Sequence, residues 1–548
     1  MTKAAEMAKV SVKGGFHLLW GLVASTVISA VGTIYLANLL SPDELGLYAL
    51  AIAAPNLIGV FRDWGVNAAL IRYAAQYNSE KQITRAKKIL ISGLMFEVVA
   101  GVVLTIVSFL LSALFANIYH FEAITPLIQI ASFTILISAF LTVAQSAFTG
   151  LERMELNSVT MIAQSIIKAI LIPVFVILGL GVFGAVLGYT ISFLIAGVTG
   201  ALLMWLLYKQ LPSSTHLQIQ KQEPDKKEKI SHVKTLLKYG LPISISTIIA
   251  AFQTQFYTIL LGVYATTDAV GNYALAATFV VLITFFAAPI TTMLFPAFSK
   301  LDPQKDHESL RSVFQFSVKY AALLVVPVAT IVMTLSQPAV HTLFGNKYDS
   351  APLFLTLLAI TYLFTAFGNL SAGNFINGQG KTAFNLKLSL LAAGIGFPLS
   401  IILASQLGVT GIIITSLTTG IPSLIISLSW IKKHYGLTID WGSSGKILLS
   451  SAFAGAITFL LQSWLTFASW ITLTIGVATF VLVFLPTILL TRAIAQVDID
   501  NLRQMTASLG AVNLILNPTL NFIEKLNTLI NRPTSKQPSS LPAQKPLK

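Results

Sequence analysis

The chain has 548 residues, of which 55% are apolar and only 10% are charged, and it contains no cysteine. A soluble domain carries about 25% charged residues, so this composition excludes a soluble protein and indicates one with many membrane spans. The lack of cysteine excludes disulfides, thiol nucleophiles and thiolate metal sites. The chain has a formal net charge of +14. Membrane proteins carry an excess of Lys and Arg in their cytoplasmic loops, which explains this charge, so no nucleic-acid partner is expected.

A membrane-spanning helix needs roughly 20 mainly apolar residues, and about fourteen segments of this chain meet that requirement. Six lie in residues 1–208, six in residues 236–430 and two in residues 431–493. Residues 209–235 form a Lys-rich polar linker, and residues 494–548 form a polar tail. We therefore predict an all-α integral membrane fold with two pseudo-symmetric six-helix lobes and two additional C-terminal helices.

A repeated segment supports the division into two lobes. Residues Asp43–Ala51 return as Asp268–Ala276, an offset of 225, with six of nine residues identical. A second match pairs residues 180–184 with 407–411 at an offset of 227. Chance similarity between apolar segments is the alternative, but the first match preserves Asp, Gly and Tyr as well as aliphatic residues. Two matches in the same order and direction indicate an internal duplication.

Lys and Arg residues predict the orientation of the chain. Of 35 such residues, we place Lys347 in a loop on the far side of the membrane and Arg62 and Lys168 inside spans. The others fall in the amino terminus, the even-numbered links, the tail or adjoining span ends. Because cytoplasmic loops carry the excess of Lys and Arg, we predict that both termini are cytoplasmic in an inner or plasma membrane protein.

Ionisable residues inside spans are the candidate functional groups, because each costs a few kcal/mol at the bilayer centre unless it is paired or hydrated. Arg62 and Asp63 lie in the second span (about 45–71), Glu97 in the third and Lys168 in the fifth. In one interpretation Arg62 and Lys168 face a hydrated cavity and bind an anionic head group. In the other, Arg62 pairs with Glu97, or Lys168 with Asp63, to fix helix packing. Asp63 and Glu97 are expected to be charge partners, with proton or cation coupling as the alternative.

Amides in the second half form a further candidate set. They can serve as interhelical hydrogen bonds, or line a path for sugars, since amides offer donors and acceptors to hydroxyl groups. We include four as candidate substrate-binding residues: Gln253, Gln255, Asn369 and Asn374.

Residue patterns typical of enzymes and motors are missing from the sequence. It has no Gly-rich phosphate loop followed by Lys-Ser or Lys-Thr and no closely spaced histidines, so no cofactor and no metal are predicted. We expect a membrane transporter and not an enzyme.

Two local motifs carry a resemblance to a known family. The stretch Leu40-Ser41-Pro42-Asp43-Glu44-Leu45-Gly46-Leu47-Tyr48 and the run from Asp63 to Arg72 are similar to the first turn and second span of the multidrug/oligosaccharidyl-lipid/polysaccharide exporter superfamily. The similarity is to its polysaccharide branch, which contains the Wzx-like flippases of lipopolysaccharide and exopolysaccharide biosynthesis.

The resemblance implies a monomeric flippase that moves a polyprenyl-pyrophosphate-linked oligosaccharide across the inner membrane by alternating access. It also implies membrane lipids and a glycan polymerase or export machinery as partners. Drug/cation antiport, as in other members of the superfamily, is the main alternative. Lipid II flippases share the pattern Pro55-Asn56-Leu57 followed by Gly65, but they carry arginines in the first span, where this chain has none. An O-antigen polymerase is disfavoured because the exterior links are short.

Overall fold

The structure is a computed structural model that describes residues 3–210, 226–464 and 467–494, together with residues 496, 498–500, 503, 518, 521, 524 and 525. All regular elements in this part of the chain are helical. The α-helices in chain order are α1 (Lys3–Leu39), α2 (Pro42–Gly59), α3 (Val66–Ser79), α4 (Ile83–Ile118), α5 (Thr125–Gly150), α6 (Met154–Phe175), α7 (Gly181–Gln210), α8 (Lys226–Tyr264), α9 (Thr267–Lys300), α10 (His307–Thr334), α11 (Ser336–Phe344), α12 (Ala351–Leu363), α13 (Asn369–Gly378), α14 (Thr382–Leu407), α15 (Val409–Tyr435), α16 (Trp441–Trp464) and α17 (Ser469–Leu490).

The all-helical membrane fold predicted from composition is confirmed. Within the described residues, 11 helices are long and apolar enough to cross a membrane, or 12 if the bent pair Ala351–Phe367 and Asn369–Gly378 is one span. The number of spans differs from the predicted fourteen partly because residues 154–209 are counted as one span. This stretch contains two helices, α6 and α7, which pack side by side. The backbone reverses between them at Gly179 and Gly181, both with positive φ. The number fourteen and the lobe boundaries therefore remain predictions.

The predicted linker is shorter than the sequence suggested. Residues 226–235 already belong to α8, and four of these ten residues are Lys, which has high helix propensity. Residues 211–225 lie outside the described residues, as does most of the predicted tail.

Both copies of the repeated segment begin a helix in the same way. At the start of α2, Glu44 N donates to Ser41 Oγ at 3.2 Å while Ser41 N donates to Glu44 Oε2 at 2.7 Å, which is a capping box. At the start of α9, Ala269 N donates to Thr266 Oγ1 at 3.3 Å. Each side-chain cap satisfies a helix N–H that has no partner within its own helix.

These two helices pack against each other through a reciprocal glycine contact. A methyl group added at Gly46 would overlap the carbonyl oxygen of Thr267, and one added at Gly271 would overlap that of Pro42. Each pair of equivalent residues is separated by the repeat offset of 225. Like an interface between identical subunits, this Gly46–Gly271 contact brings the same surface of each half together, and only glycine permits such a close approach.

A second glycine contact joins the halves beyond the other end of α2. A methyl group at Gly65 would overlap the carbonyl oxygen of Gly240, and one at Gly240 would overlap that of Gly65. Close by, the guanidinium of Arg72 lies 4.1 Å from the ring centroid of Tyr239, a distance typical of a cation–π interaction. The Gly46–Gly271 contact lies near the start of α2, and the Gly65–Gly240 contact lies just beyond its end. The two contacts therefore join the halves at opposite ends of this helix.

A loop of the second half also holds the end of α1. Lys347 Nζ donates to the carbonyl oxygens of Ala37 at 3.2 Å and Asn38 at 2.9 Å. The hydroxyl of the buried Tyr348 donates to Ala37 O at 2.9 Å. Donors at a helix C-terminus satisfy its last carbonyls, and a cation there also interacts favourably with the helix dipole. The loop therefore reinforces the Gly46–Gly271 contact.

The Gly46–Gly271 contact can be tested by cross-linking, because the natural chain has no cysteine. Thr267 Oγ1 donates to Asp43 Oδ1 at 2.5 Å, so the side chains at these positions meet. We expect the double variant Asp43→Cys/Thr267→Cys to form an intramolecular disulfide on mild oxidation, measured by mass spectrometry. The control pair, Ser469→Cys/Thr267→Cys, should not. Equal yields for the two pairs would contradict this contact.

Candidate functional site

The site begins at a break between two helices. The sequence predicted one continuous second span through residue 71. In the structure this span is broken, because α2 ends at Gly59 and α3 starts only at Val66. Gly65, with φ of +83°, makes the turn in a conformation that other residues rarely adopt. The break places the side chain of Arg62 inside the first half, where it is only 8% exposed.

Arg62 lies in a dense set of acceptors. Its Nε donates to Glu97 Oε2 at 2.7 Å and its Nη2 to Thr142 Oγ1 at 3.1 Å. Its Nη1 donates to the carbonyl of Ile135 at 2.9 Å and to the hydroxyl of Ser138. Among the described residues, four of the five guanidinium N–H groups are thus used within the protein.

Glu97 and Asp63 complete this cluster. The second carboxylate oxygen of Glu97, which is fully buried, accepts from Asn67 Nδ2 at 3.1 Å. Asp63 Oδ1 accepts from the backbone N–H of Asn67 at 2.8 Å, and Ser146 Oγ donates to Asn67 Oδ1 at 3.2 Å. The cluster connects the helix break, α3, α4 and α5. The pairing of Arg62 with Glu97, one of the two interpretations of the sequence, is therefore present in the structure.

Lys168 has a different environment. It is half-buried on α6, and its Nζ lies 5.5 Å from the ring centroid of Tyr189, within the range of a cation–π interaction. No ion pair of Lys168 occurs among the described residues. Asp63, the alternative partner considered from the sequence, instead accepts from Asn67.

Lys168 lines a cavity of about 270 Å³. The cavity is bounded by α1, α2, α6 and α7 of the first half, with Ser29 and Tyr48 among its polar residues. It is also bounded by Ala274 and Thr278, which belong to α9 in the second half. We call this space the Lys168 cavity, and it lies where the two halves meet.

A second cavity of about 120 Å³ adjoins the cluster of Arg62 and is lined also by Asn56 and Ser138. Tyr189 lines both cavities, with its ring packed edge-on against Tyr48 at a centroid distance of 6.3 Å. The structure thus places the two basic residues chosen from the sequence in neighbouring cavities on either side of one aromatic ring. Sequence reasoning did not select Tyr48 or Tyr189, although Tyr48 belongs to the repeated segment.

The four amides chosen from the sequence line neither cavity. Gln253 Nε2 donates to the hydroxyl of Tyr257 at 2.5 Å, and Asn374 Nδ2 donates to the carbonyl of Leu370 at 2.9 Å. Gln255 is half-buried and Asn369 is exposed. The structure does not bring these amides together with Lys168, and their role in binding sugars stays a prediction.

The Arg62 cluster makes a testable prediction about stability. Arg62→Ala should lower the free energy of unfolding by about 3–5 kcal/mol, because it leaves the buried carboxylate of Glu97 without its counter-charge. Adding Glu97→Gln should recover a large part of this loss, since coupled residues show non-additive effects. Thermal unfolding in detergent measures the effect. Additive losses in the double variant would show that the two charges do not stabilise each other.

Comparisons with known proteins agree with this architecture. The family described as polysaccharide biosynthesis protein matches residues 11–302, more than half of the chain, and the MatE family matches residues 242–402. The chain is 24% identical to the lipopolysaccharide biosynthesis protein WzxC of Escherichia coli (strain K12), over 74% of this chain and 78% of that protein.

Two further proteins illustrate the range of the similarity. The chain is 20% identical to the probable low-salt glycan biosynthesis flippase Agl15 of Haloferax volcanii, over 50% of this chain and 58% of that protein. Its fold is similar to a structure of the lipid II flippase MurJ in an inward closed conformation. That superposition has a TM-score of 0.66 at 17% identity and covers 86% of this chain and 97% of the other.

The family match over more than half of the chain, the fold shared with solved transporters and the many apolar helices lead to one assignment. The chain is a multi-pass membrane transporter that belongs to the polysaccharide biosynthesis protein family, in the polysaccharide transporter branch of the multidrug/oligosaccharidyl-lipid/polysaccharide exporter superfamily.

Proposed function

We propose that this protein is a flippase that moves a polyprenyl-pyrophosphate-linked oligosaccharide from the cytoplasmic to the outer leaflet of the inner membrane. The observation that carries the proposal is Lys168, a basic residue without an ion-pair partner among the described residues, in a cavity bounded by both halves. The named functions of WzxC and Agl15, lipopolysaccharide biosynthesis and glycan flipping, support the same substrate class.

The chemistry of this substrate explains why such a cavity is useful. A pyrophosphate group cannot enter hydrocarbon without a large desolvation cost, while a prenyl chain is soluble there. The protein therefore has to provide an electropositive space for the head group and can leave the lipid chain in the bilayer. Lys168 supplies the positive charge, whereas the charge of Arg62 is already balanced by Glu97. We assign Lys168 the main electrostatic role, with Arg62 at the edge of the neighbouring cavity.

The inter-half contacts support a mechanism of alternating access. The Gly46–Gly271 and Gly65–Gly240 contacts close the space between the halves at both ends, and the α2 residues from Tyr48 to Gly59 that line the two cavities lie between them. Release of one contact while the other holds opens the Lys168 cavity to one side of the membrane. Rocking of two repeats around a site at their interface then carries the head group across.

Drug/cation antiport is the second candidate, because the MatE family matches residues 242–402. The Lys168 cavity argues against it, since a fixed ammonium repels an organic cation. Purified protein in vesicles should not move a cationic dye against a proton or sodium gradient. Gradient-dependent dye uptake would establish the antiporter function instead.

Replacement of Lys168 tests the flippase proposal. In a deletion strain, Lys168→Ala should reduce export of the lipid-linked glycan at least tenfold, because the desolvated head group loses its charge-assisted partner. Lys168→Arg should retain part of the activity. The matched control is Lys209→Ala, since Lys209 is exposed at the end of α7. Accumulation of the lipid-linked intermediate in the inner leaflet measures the defect, and normal export by Lys168→Ala would refute the role of this residue.

The proposed orientation, with both termini cytoplasmic, is tested by thiol labelling in the natural cysteine-free background. Asp349→Cys, in the loop that follows Tyr348, should react with an impermeant maleimide added outside intact cells. Ser213→Cys, in the part of the linker outside the described residues, should react only after the cells are opened. The reverse pattern would invert the topology.

A further inference from the structure

The two halves contain equivalent links at the end of the molecule where α2 and α9 begin. In the first half, α4 ends at Ile118 and α5 begins at Thr125, and in the second half, α11 ends at Phe344 and α12 begins at Ala351. The two helix ends differ by 226 residues, and so do the two helix starts. Residues 119–124 and 345–350 are therefore copies of each other, and we call them the first link and the second link.

Each link places a tyrosine on the same helix position of the other half. Tyr348, in the second link, donates to the carbonyl oxygen of Ala37 near the end of α1. Tyr119, in the first link, packs its ring on Gly262 near the end of α8, where an added methyl group would overlap the ring. Ala37 and Gly262 are separated by the repeat offset of 225. The two tyrosines thus form a reciprocal pair of contacts between the halves.

The second link holds α1 through hydrogen bonds. The hydroxyl of the buried Tyr348 lies 2.9 Å from Ala37 O and 3.3 Å from Leu40 O. Lys347 Nζ adds its own contacts with the carbonyl oxygens of Ala37 and Asn38. Carbonyls at a helix C-terminus lack partners within their own helix, so these donors stabilise the contact between the halves.

A polar residue of the repeated segment fixes the second link in its own half. Asn272 Oδ1 accepts from the backbone N–H of Ser350 at 3.2 Å and of Ala351 at 2.9 Å. At the offset of 225 the counterpart of Asn272 is Leu47, whose side chain cannot accept a hydrogen bond. The two copies of the segment therefore support their links in different ways.

Tyr119 makes the corresponding contact without a hydrogen bond. Its side chain is 6% exposed, and its hydroxyl has no hydrogen-bond partner among the described residues. A buried hydroxyl without a partner lowers the population of the state that buries it by about 5- to 150-fold. The ring of Tyr119 joins the halves by packing on Gly262, while its hydroxyl opposes the same contact.

We propose that Tyr348 and Tyr119 are opposing residues of one gate, in which Tyr348 holds the halves together and the buried hydroxyl of Tyr119 promotes their separation. This inference rests on the proposed function and orientation, which place both links on the outer side of the membrane. Separation at this end carries Tyr119 away from Gly262 and lets water reach its hydroxyl. Because alternating access needs both states to be populated, an unsatisfied group in the closed gate keeps that state from becoming too stable.

The test measures opening of the gate by thiol labelling of the full chain in intact cells. Thr278 lines the Lys168 cavity between the halves, so in the variant Thr278→Cys an impermeant maleimide added outside reacts only after the outer contacts separate. Adding Tyr119→Phe should slow this labelling at least fivefold, because the closed gate no longer buries an unpaired hydroxyl. Adding Tyr348→Phe should speed it about two- to tenfold, because the closed gate loses a hydrogen bond.

Two further variants separate the ring from the hydroxyl and provide a control. Tyr119→Ala should speed labelling, since it removes the ring that packs on Gly262. Tyr77→Phe makes the matched change on α3, beyond the other end of α2, and should label at the parent rate. An unchanged or faster rate in Tyr119→Phe, or changes of the same sign in Tyr119→Phe and Tyr348→Phe, would overturn the proposal. Failure of Thr278→Cys to react from outside in every variant would overturn it as well.

Glycan export in the same strains distinguishes this proposal from the proposed function. Opposite changes of labelling rate in Tyr119→Phe and Tyr348→Phe, in a protein whose deletion leaves glycan export intact, would support the gate and remove the flippase function. Export that depends on Lys168, with equal labelling rates in the two tyrosine variants, would leave the flippase function standing and remove the gate.

Discussion

The cost of an ionised group in hydrocarbon is the constraint on which this structure depends. The first half solves it in two ways. Arg62 is surrounded by Glu97, a backbone carbonyl and two hydroxyls, so its charge is balanced and its donors are mostly used. Lys168 has a cavity and an aromatic ring instead of a carboxylate. The first arrangement therefore holds helices together, and we propose that the second stabilises an anion from outside the protein.

The duplication gives the molecule symmetric contacts and an asymmetric interior. Gly46 and Gly271 meet their partners in the same manner because each belongs to the same segment of its half. The interior has diverged, since the position of Lys168 in the second half is Ala393 at the offset of 225 or Ile395 at the offset of 227. A transporter that rocks two halves requires matched surfaces where they touch, whereas its substrate requires only one site. Selection can therefore preserve the contacts and change the residues between them.

In this family, a shared fold says less about the substrate than the residues of the site do. The superposition on the lipid II flippase covers most of the chain at 17% identity, which describes the path of the helices and not the substrate. We propose the substrate class from the site, because the fold is shared by a lipid II flippase and a multidrug resistance transporter. For this chain the residues that we propose to bind the substrate head group, Lys168 and Arg62, lie within one half.

The sequence by itself determined the class of protein, the helical fold, the repeat and the four ionisable residues inside spans, because composition, periodicity and the cost of buried charge are local properties that can be read along a chain. It did not decide between a free and a paired Arg62, and it selected Gln253 and its companion amides without a sign that they lie apart from Lys168. Only the tertiary structure decided these points. Arg62 and Glu97 are 35 residues apart and meet because α2 breaks before Gly65. Tyr48 and Tyr189 line one cavity because α2 and α7 meet there with α1, α6 and α9, and such long-range packing leaves no local pattern in the sequence.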